Sequence, residues 1–123
     1  MRVLITGGTG FIGMTLAEEL TDQGNDVVLL ARRPMLPAMQ ASLDGRKGKY
    51  FYYKGDILNS DSLDEVIQKY DIDSIVHAAV ITPDEEREKE ESRLIAQVNY
   101  MGTIEVLEAV KRNKVKRLVY TSS

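Results

Sequence analysis

The feature that most constrains the fold is a glycine-rich segment, TGGTGFIG, at residues 6–13. A short apolar run (VLI, residues 3–5) precedes it and predicts a buried strand, and a helical pattern over residues 11–23 follows it. The apolar residues predicted on one face of that helix are Ile12, Leu16, Ala17 and Leu20. A strand that passes through a tight turn directly into a helix is the opening unit of an α/β fold.

The rest of the chain repeats this alternation of strand and helix. Strands are predicted at residues 2–6, 26–31, 50–54, 74–79 and 116–121. Helices are predicted at residues 11–23, in a weak methionine-rich segment up to 43, from a cap at Ser60 or Asp61 to Tyr70, and from 83 to about 113. Helices between strands imply right-handed parallel crossovers. The predicted architecture is a Rossmann-type, doubly wound parallel sheet of five strands in the order 3-2-1-4-5.

The glycine segment predicts a dinucleotide-binding turn, because it lies between a strand and a helix. Gly7 allows the tight turn, Gly10 lets the backbone approach a pyrophosphate, and Gly13 lets the helix pack closely on the strand. The helix start at Phe11 and Ile12 supplies free N–H groups and the positive end of the helix dipole. The alternatives are a turn that binds nothing and a turn that holds a flavin or another nucleotide.

The spacing Gly-x-x-Gly-x-x-Gly, with Phe-Ile between the last two glycines, resembles the extended short-chain dehydrogenase/reductases. This branch is the NAD-dependent epimerase/dehydratase family, which includes enzymes of nucleotide sugars. The resemblance implies a nicotinamide cofactor. Because members of the family are much longer than 123 residues, residues 1–123 are expected to be an incomplete dinucleotide-binding domain. The rest of the sheet and the substrate domain would then be absent.

The end of the second predicted strand indicates which nicotinamide cofactor is preferred. NAD-binding proteins usually place an acidic residue there to hold the ribose hydroxyls. Here the sequence reads LLARR at residues 29–33, and no acidic residue lies between Asp26 and Asp44. Arg32 and Arg33 match a 2′-phosphate in charge and geometry, which predicts NADP rather than NAD. The alternative is that both arginines are solvated loop charges and that the cofactor is NAD.

Two further segments match the family's pattern around the adenosine. The resemblance implies that Asp56 faces the adenine amino group and that the backbone of Ile57 faces the ring. Asp56 could instead be a turn or capping residue. After His77, the small residues Ala78 and Ala79 are expected to let the chain pass beside the ribose, with His77 packed there rather than catalytic.

The family's catalytic residues are matched only in part. Asn99 resembles an asparagine that supports the active site by distorting or bridging the helix backbone, although it could be an ordinary polar residue. Ser123 is the best match to the catalytic hydroxyl, with Ser122 second, and a Tyr-x-x-x-Lys pair would follow on the next helix. The single match to that pair is Tyr50 to Lys54. It lies on a predicted strand that separates its ends by roughly 13 Å, so we interpret it as a coincidence.

Composition excludes several classes of function. A formal net charge of −3 gives no electrostatic footprint for nucleic acid. With no cysteine and one histidine, neither a disulfide nor a metal site is expected. The longest purely apolar run, residues 27–31, is too short to cross a membrane, and no signal peptide precedes the first strand. These observations predict a cytoplasmic protein, and an open fifth strand predicts a homodimer.

The function predicted from these features is the NAD(P)-binding part of an epimerase, dehydratase or reductase. The parent enzyme would act on a small-molecule substrate, a nucleotide sugar, by hydride transfer to the nicotinamide. The chain alone is expected to bind cofactor without turning over substrate. The alternative is a non-catalytic dinucleotide sensor that regulates partners. Because the residues that select the substrate are expected to lie elsewhere, the three reaction types stay open.

Overall fold

A computed structural model describes residues 1–79 and 85–121, and for residues 85–90 it describes the course of the backbone only. The strands are β1 (Arg2–Thr6), β2 (Asp26–Ala31), β3 (Tyr50–Lys54), β4 (Ser74–His77) and β5 (Arg117–Tyr120). The helices are α1 (Phe11–Asp22), α2 (Pro37–Leu43), α3 (Ser60–Tyr70), α4 (Glu85–Ala96) and α5 (Gly102–Asn113), with a π-helical turn (Gln97–Met101) joining the last two.

The five strands form one parallel sheet in the order β3-β2-β1-β4-β5, which confirms the predicted topology. The central strand β1 aligns Leu4 with Val28 of β2 on one side and with Ile75 of β4 on the other. All carboxyl ends of the strands therefore meet at one edge of the sheet. That edge is where open α/β sheets bind their ligands.

The alternation of side chains along each strand divides the core into two layers. One layer packs the sheet against α3 and α5 and contains Leu4, Val28, Leu30, Leu63, Val66, Ile75, Val106 and Ala109. The other packs it against α1 and α2 and contains Val3, Ile5, Ala17, Val27, Leu29 and Leu43. Because both faces of β1 and β2 are covered, these strands carry continuous apolar runs, residues 3–5 and 27–31, rather than an alternating pattern.

The structure confirms three of the four residues of the predicted face of α1 and corrects the continuity of the last helix. Ala17 is buried and Leu16 and Leu20 pack against the core, whereas Ile12 is 50% exposed, because the helix turns Gly13 towards the turn it packs on. The helix predicted from 83 to about 113 is interrupted by the π-helical turn, where the Gly102 N–H donates to the Gln97 carbonyl five residues back. A hydrophobic stripe does not report such an insertion.

The start of α3 also differs from the prediction of a cap at Ser60 or Asp61. The cap is Asn59, whose side chain accepts a hydrogen bond from the Ser62 N–H at 3.2 Å. Asn, Ser and Asp are all good caps, so a sequence that offers three in a row leaves the choice to the chain's entry geometry.

We expect Asn59→Ala to lower the free energy of unfolding by about 1 kcal/mol, because it removes the acceptor for an otherwise unpaired N–H of the first turn. Ser60→Ala is the matched control and should change the stability by less than about 0.5 kcal/mol. Urea denaturation of both variants measures the difference. Equal losses of unfolding free energy in the two variants would contradict the assignment of Asn59 as the cap.

The strand β5 lies at one edge of the sheet. Val119 is 54% exposed and Tyr120 is 49% exposed. Pairing of two copies through this edge stays a prediction. Within residues 1–79 and 85–121, no helix combines the length and the apolar character needed to cross a membrane.

Candidate functional site

The glycine turn is compact, and three of its glycines are required by their surroundings. Gly7 has a φ of +65°, and a Cβ at this position would lie 2.8 Å from the Ala79 Cα. A Cβ at Gly13 would lie 2.5 Å from the Gly7 carbonyl oxygen, so α1 packs directly on the turn. Gly8, which the sequence analysis did not single out, packs on β2, where a Cβ would lie 2.8 Å from the Leu29 Cα. Backbone therefore approaches backbone throughout the turn, and side chains would prevent it.

The N-terminus of α1 is open. Its first residue outside the helix, Gly10, has an extended backbone and provides no side-chain cap, and the first turn contains no acidic residue. Phe11 is 88% exposed and Ile12 is 50% exposed. The first N–H groups of a helix have no partner within the helix and carry its positive dipole end. The geometry therefore presents an anion-binding terminus at the carboxyl edge of the sheet.

A cavity of about 670 Å³ lies beside this turn. Six of the predicted site residues line it, namely Gly7, Arg32, Arg33, Asp56, Ile57 and Ala79. The carboxyl ends of β1 to β4 contribute all six. The volume falls in the range that small-molecule and cofactor sites occupy.

Of the other predicted site residues, those that the structure describes lie outside the cavity lining. Gly10, Phe11, Ile12 and Gly13 form the adjacent turn and the start of α1, and Ala78 directly precedes Ala79. Asn99 lies within the π-helical turn. Ser122 and Ser123 lie outside the described residues.

The sequence analysis missed the helical wall of the cavity. Glu91, Leu94 and Val98 line it from the last helical stretch. Leu94 and Val98 are apolar residues four apart, directly after a charged run that ends at Arg93. That spacing indicates one buried stripe and could have identified this wall.

The arginine corner, formed by Arg32 and Arg33, sits at the end of β2. Its backbone is held by Tyr52, whose hydroxyl donates to the Arg33 carbonyl at 2.7 Å. Both arginine side chains are exposed, and within the described part of the chain neither makes an ion pair or a hydrogen bond. A smaller opening of about 440 Å³ adjoins the corner and shares Arg32 with the cavity. Two unpaired guanidinium groups are therefore available to an anion.

Asp56 serves a turn as well as lining the cavity. Its Oδ1 accepts a hydrogen bond from the Leu58 N–H at 3.0 Å, which is an Asx turn. The turn directs Ile57 inward, where it is 6% exposed, and a Cβ on Gly102 would lie 2.4 Å from the Ile57 Cδ1. The turn interpretation of Asp56 is thus correct, and the carboxylate also remains at the cavity.

His77 is packed at the end of β4, as predicted, with 1% exposure. Its Nδ1 lies 2.6 Å from the Thr6 hydroxyl oxygen, and its Nε2 lies 3.1 Å from the Thr103 hydroxyl oxygen. The ring also stacks on Tyr120, with ring centroids 5.7 Å apart. Burial lowers the pKa of His77, because a buried site disfavours the charged imidazolium.

This pKa shift predicts how stability depends on pH. The unfolded chain binds a proton below the ordinary histidine pKa of about 6.5, whereas the folded chain resists it, so stability is complete above that pH and is lost as the pH falls towards the folded pKa. We expect the free energy of unfolding to fall as the pH is lowered from 7 to 5. Urea denaturation across this range measures it. Since His77 is the single histidine, His77→Gln should flatten the slope, and an unchanged slope would contradict the assignment.

Comparison with known proteins finds one family that matches almost the whole chain. The model of the NAD dependent epimerase/dehydratase family matches residues 3–123. A UDP-glucose 4-epimerase of Neisseria gonorrhoeae is 32% identical over all of this chain and 37% of its own length. A dTDP-D-glucose 4,6-dehydratase of Dictyostelium discoideum is 30% identical over 99% of this chain and 29% of its own length.

The architecture is also found in solved structures. The crystal structure of UDP-glucose-4-epimerase from Stenotrophomonas maltophila, with bound NAD and formylated UDP-arabinopyranose, has a TM-score of 0.89 at 27% identity. It is matched over all of this chain and 37% of its own. The chain thus spans 29% of the length of the dehydratase and 37% of the length of each epimerase.

Proposed function

We propose a function from one premise: the chain belongs to the NAD dependent epimerase/dehydratase family. On that premise it binds a nicotinamide dinucleotide at the carboxyl edge of its sheet. The observation that carries the proposal is the cavity of about 670 Å³ bounded by the glycine turn and the ends of four strands. In doubly wound sheets a dinucleotide binds at this place.

The residues of the glycine turn fit a pyrophosphate. The Cβ-free surface of Gly7 and Gly10 leaves room for phosphate oxygens, and the N–H groups of Phe11 and Ile12 would donate to them. Gly13 supports this arrangement indirectly, because it allows α1 to approach the turn. No acidic side chain in the first turn of α1 opposes the negative charge.

The remaining lining residues would hold the adenosine half. We assign the adenine to Asp56 and Ile57, and the ribose to the backbone at Ala78 and Ala79. The arginine corner would bind a 2′-phosphate, which makes NADP the preferred cofactor and NAD the alternative. The NAD in the solved Stenotrophomonas enzyme supports a nicotinamide cofactor without distinguishing the two.

For the longer protein, we propose an epimerase, dehydratase or reductase that acts on a nucleotide sugar. When bound, the nicotinamide would supply the hydride-transfer chemistry. Ser123 would hold the reacting substrate oxygen by its hydroxyl, and Asn99 would support the site from the helix backbone. Tyr50 and Lys54 stand at the two ends of the strand β3 rather than one turn apart on a helix. The chain of 123 residues is therefore proposed to bind cofactor without turnover.

Calorimetric titration of the chain with NADP and with NAD tests the proposal. We expect binding of NADP, weaker binding of NAD, and competition by adenosine 2′,5′-bisphosphate. Nicotinamide mononucleotide is the matched control, because the described lining corresponds to the adenosine half, and it should compete poorly. If neither dinucleotide bound to the folded chain, the proposed function would be wrong.

A further inference from the structure

A chain of buried and partly buried hydrogen bonds runs from the end of β1 through His77 to the π-helical turn, and among its members the proposed function gives a role to Asn99 alone. It starts at Thr6, the last residue of β1, whose hydroxyl oxygen lies 3.0 Å from the Ala78 N and 3.2 Å from the Ala79 N. It passes through His77 and ends where the Thr103 hydroxyl donates to the Asn99 carbonyl at 2.9 Å. We call this set of four residues, Thr6, His77, Thr103 and Asn99, the relay.

The donors and acceptors of the relay admit one arrangement of its hydrogens. A hydroxyl oxygen has two lone pairs, and two backbone N–H groups occupy both of them on Thr6. The Thr6 hydrogen must therefore point to the His77 Nδ1, 2.6 Å away, which makes that nitrogen an acceptor. A neutral imidazole then carries its proton on Nε2, and it donates to Thr103.

Residues next to each end of the relay line the cavity. At the Thr6 end these are Gly7, which follows Thr6 in the chain, and Ala79, whose N–H donates to the Thr6 hydroxyl. At the Thr103 end, the Asn99 carbonyl belongs to the π-helical turn, whose Val98 lines the helical wall. A π-helical turn lacks the regular bonding of an α-helix, so a side-chain donor to its carbonyl helps to fix it.

We infer that His77, as the neutral Nε2–H tautomer, is a positioning residue that fixes the π-helical turn against the sheet edge and so sets the width of the dinucleotide cavity. The inference rests on the proposed function, because it concerns binding at the same cavity. His77 touches neither wall directly in this scheme and acts through Thr6 and Thr103. Fully bonded buried networks of this kind hold one arrangement, whereas a network that has lost a member does not.

The test compares three variants by NADP titration and by urea denaturation. Thr103→Val removes the acceptor for His77 and the donor to Asn99 while keeping the shape, and we expect it to weaken NADP binding roughly three- to thirtyfold. Thr103→Ser keeps the hydroxyl and should restore binding to within about twofold of the original chain. Thr21→Val is the control, because it removes a buried hydroxyl bonded to Ala17 and Glu18 in α1, away from the cavity.

Nitrogen-15 NMR of the single histidine provides a readout that loss of stability alone does not move. The inference requires an unprotonated Nδ1 and a protonated Nε2 at neutral pH, and the reverse tautomer would overturn it. Equal NADP affinity of Thr103→Val and Thr21→Val would overturn the positioning role and leave the proposed function intact. If the original chain bound no dinucleotide, the positioning role and the proposed function would both be wrong.

Discussion

Gly13→Ala is expected to cost more than about 3 kcal/mol of unfolding free energy and to abolish dinucleotide binding. The added Cβ would lie 2.5 Å from the Gly7 carbonyl oxygen and 2.8 Å from the Gly8 Cα. Both are backbone atoms, so no side-chain rotation can relieve the contact. Either α1 moves away from the turn or the turn opens, and each would displace the N–H groups at Phe11 and Ile12. Urea denaturation measures the first effect and NADP titration the second.

Gly24→Ala is the matched control for that prediction. Gly24 has a φ of +90°, and a Cβ there would meet nothing within 4 Å. Its substitution therefore carries only the backbone penalty of a left-handed conformation, about 1–2 kcal/mol. It should leave NADP affinity unchanged, because it follows the far end of α1. If Gly13→Ala were no more costly than Gly24→Ala, close packing would not be the reason for the glycine at position 13.

The elements that the sequence predicted well are those whose signal is local and repeated. β2 and β3 match their predicted bounds, since each is a compact run of β-branched, apolar or aromatic residues between polar or glycine-containing turns. The alternation with helices and the handedness of crossovers predict a parallel sheet, and the order 3-2-1-4-5 follows from the dinucleotide-binding fold that the glycine turn indicates. The glycine turn was also predictable, because its glycines and the strand and helix on either side of it are consecutive in the sequence.

The details that escaped prediction depend on partners distant in the sequence. The relay joins Thr6, His77 and Thr103, whose neighbours along the chain suggest nothing polar in common. Gly8 is needed because Leu29 of the adjacent strand lies against it. The π-helical turn at Asn99 does not show in the apolar pattern, and a distorted helix backbone there was implied by the family resemblance alone. Each of these features can be recognised only once the tertiary structure is known, as is usual for functional and strained positions.

Replacing both arginines of the arginine corner, as Arg32→Ala with Arg33→Ala, is expected to weaken NADP binding roughly 30-fold or more and NAD binding by less than about threefold. A 2′-phosphate would receive charge-assisted hydrogen bonds from guanidinium groups that have no other partner among the described residues. NAD lacks that phosphate, so its binding loses only the long-range attraction between its negative charge and the two arginines. Parallel titrations of both cofactors measure the ratio of the two affinities.

The control must remove the same charge at another place. Lys47→Ala with Lys116→Ala also removes two positive charges from exposed positions, and neither residue lines the cavity. If this lysine pair lowered NADP affinity as much as the arginine pair, the arginines would act through the electrostatic field of the whole protein rather than by direct contact with the 2′-phosphate. Raising the ionic strength separates the two further, because it screens distant charges more than groups in direct contact.

These titrations decide whether the residues at the end of β2 select NADP or NAD. NADP preference that disappears with Arg32 and Arg33 would mean that the missing acid after β2 and the paired cations are one recognition device. Equal or tighter binding of NAD by the original chain would mean that both arginines are solvated loop charges. In that case NAD would be held without an acidic partner at the end of β2, and its ribose hydroxyls would need other acceptors. Asp56 and Glu91, the two carboxylates among the lining residues, would then be the first substitutions to make.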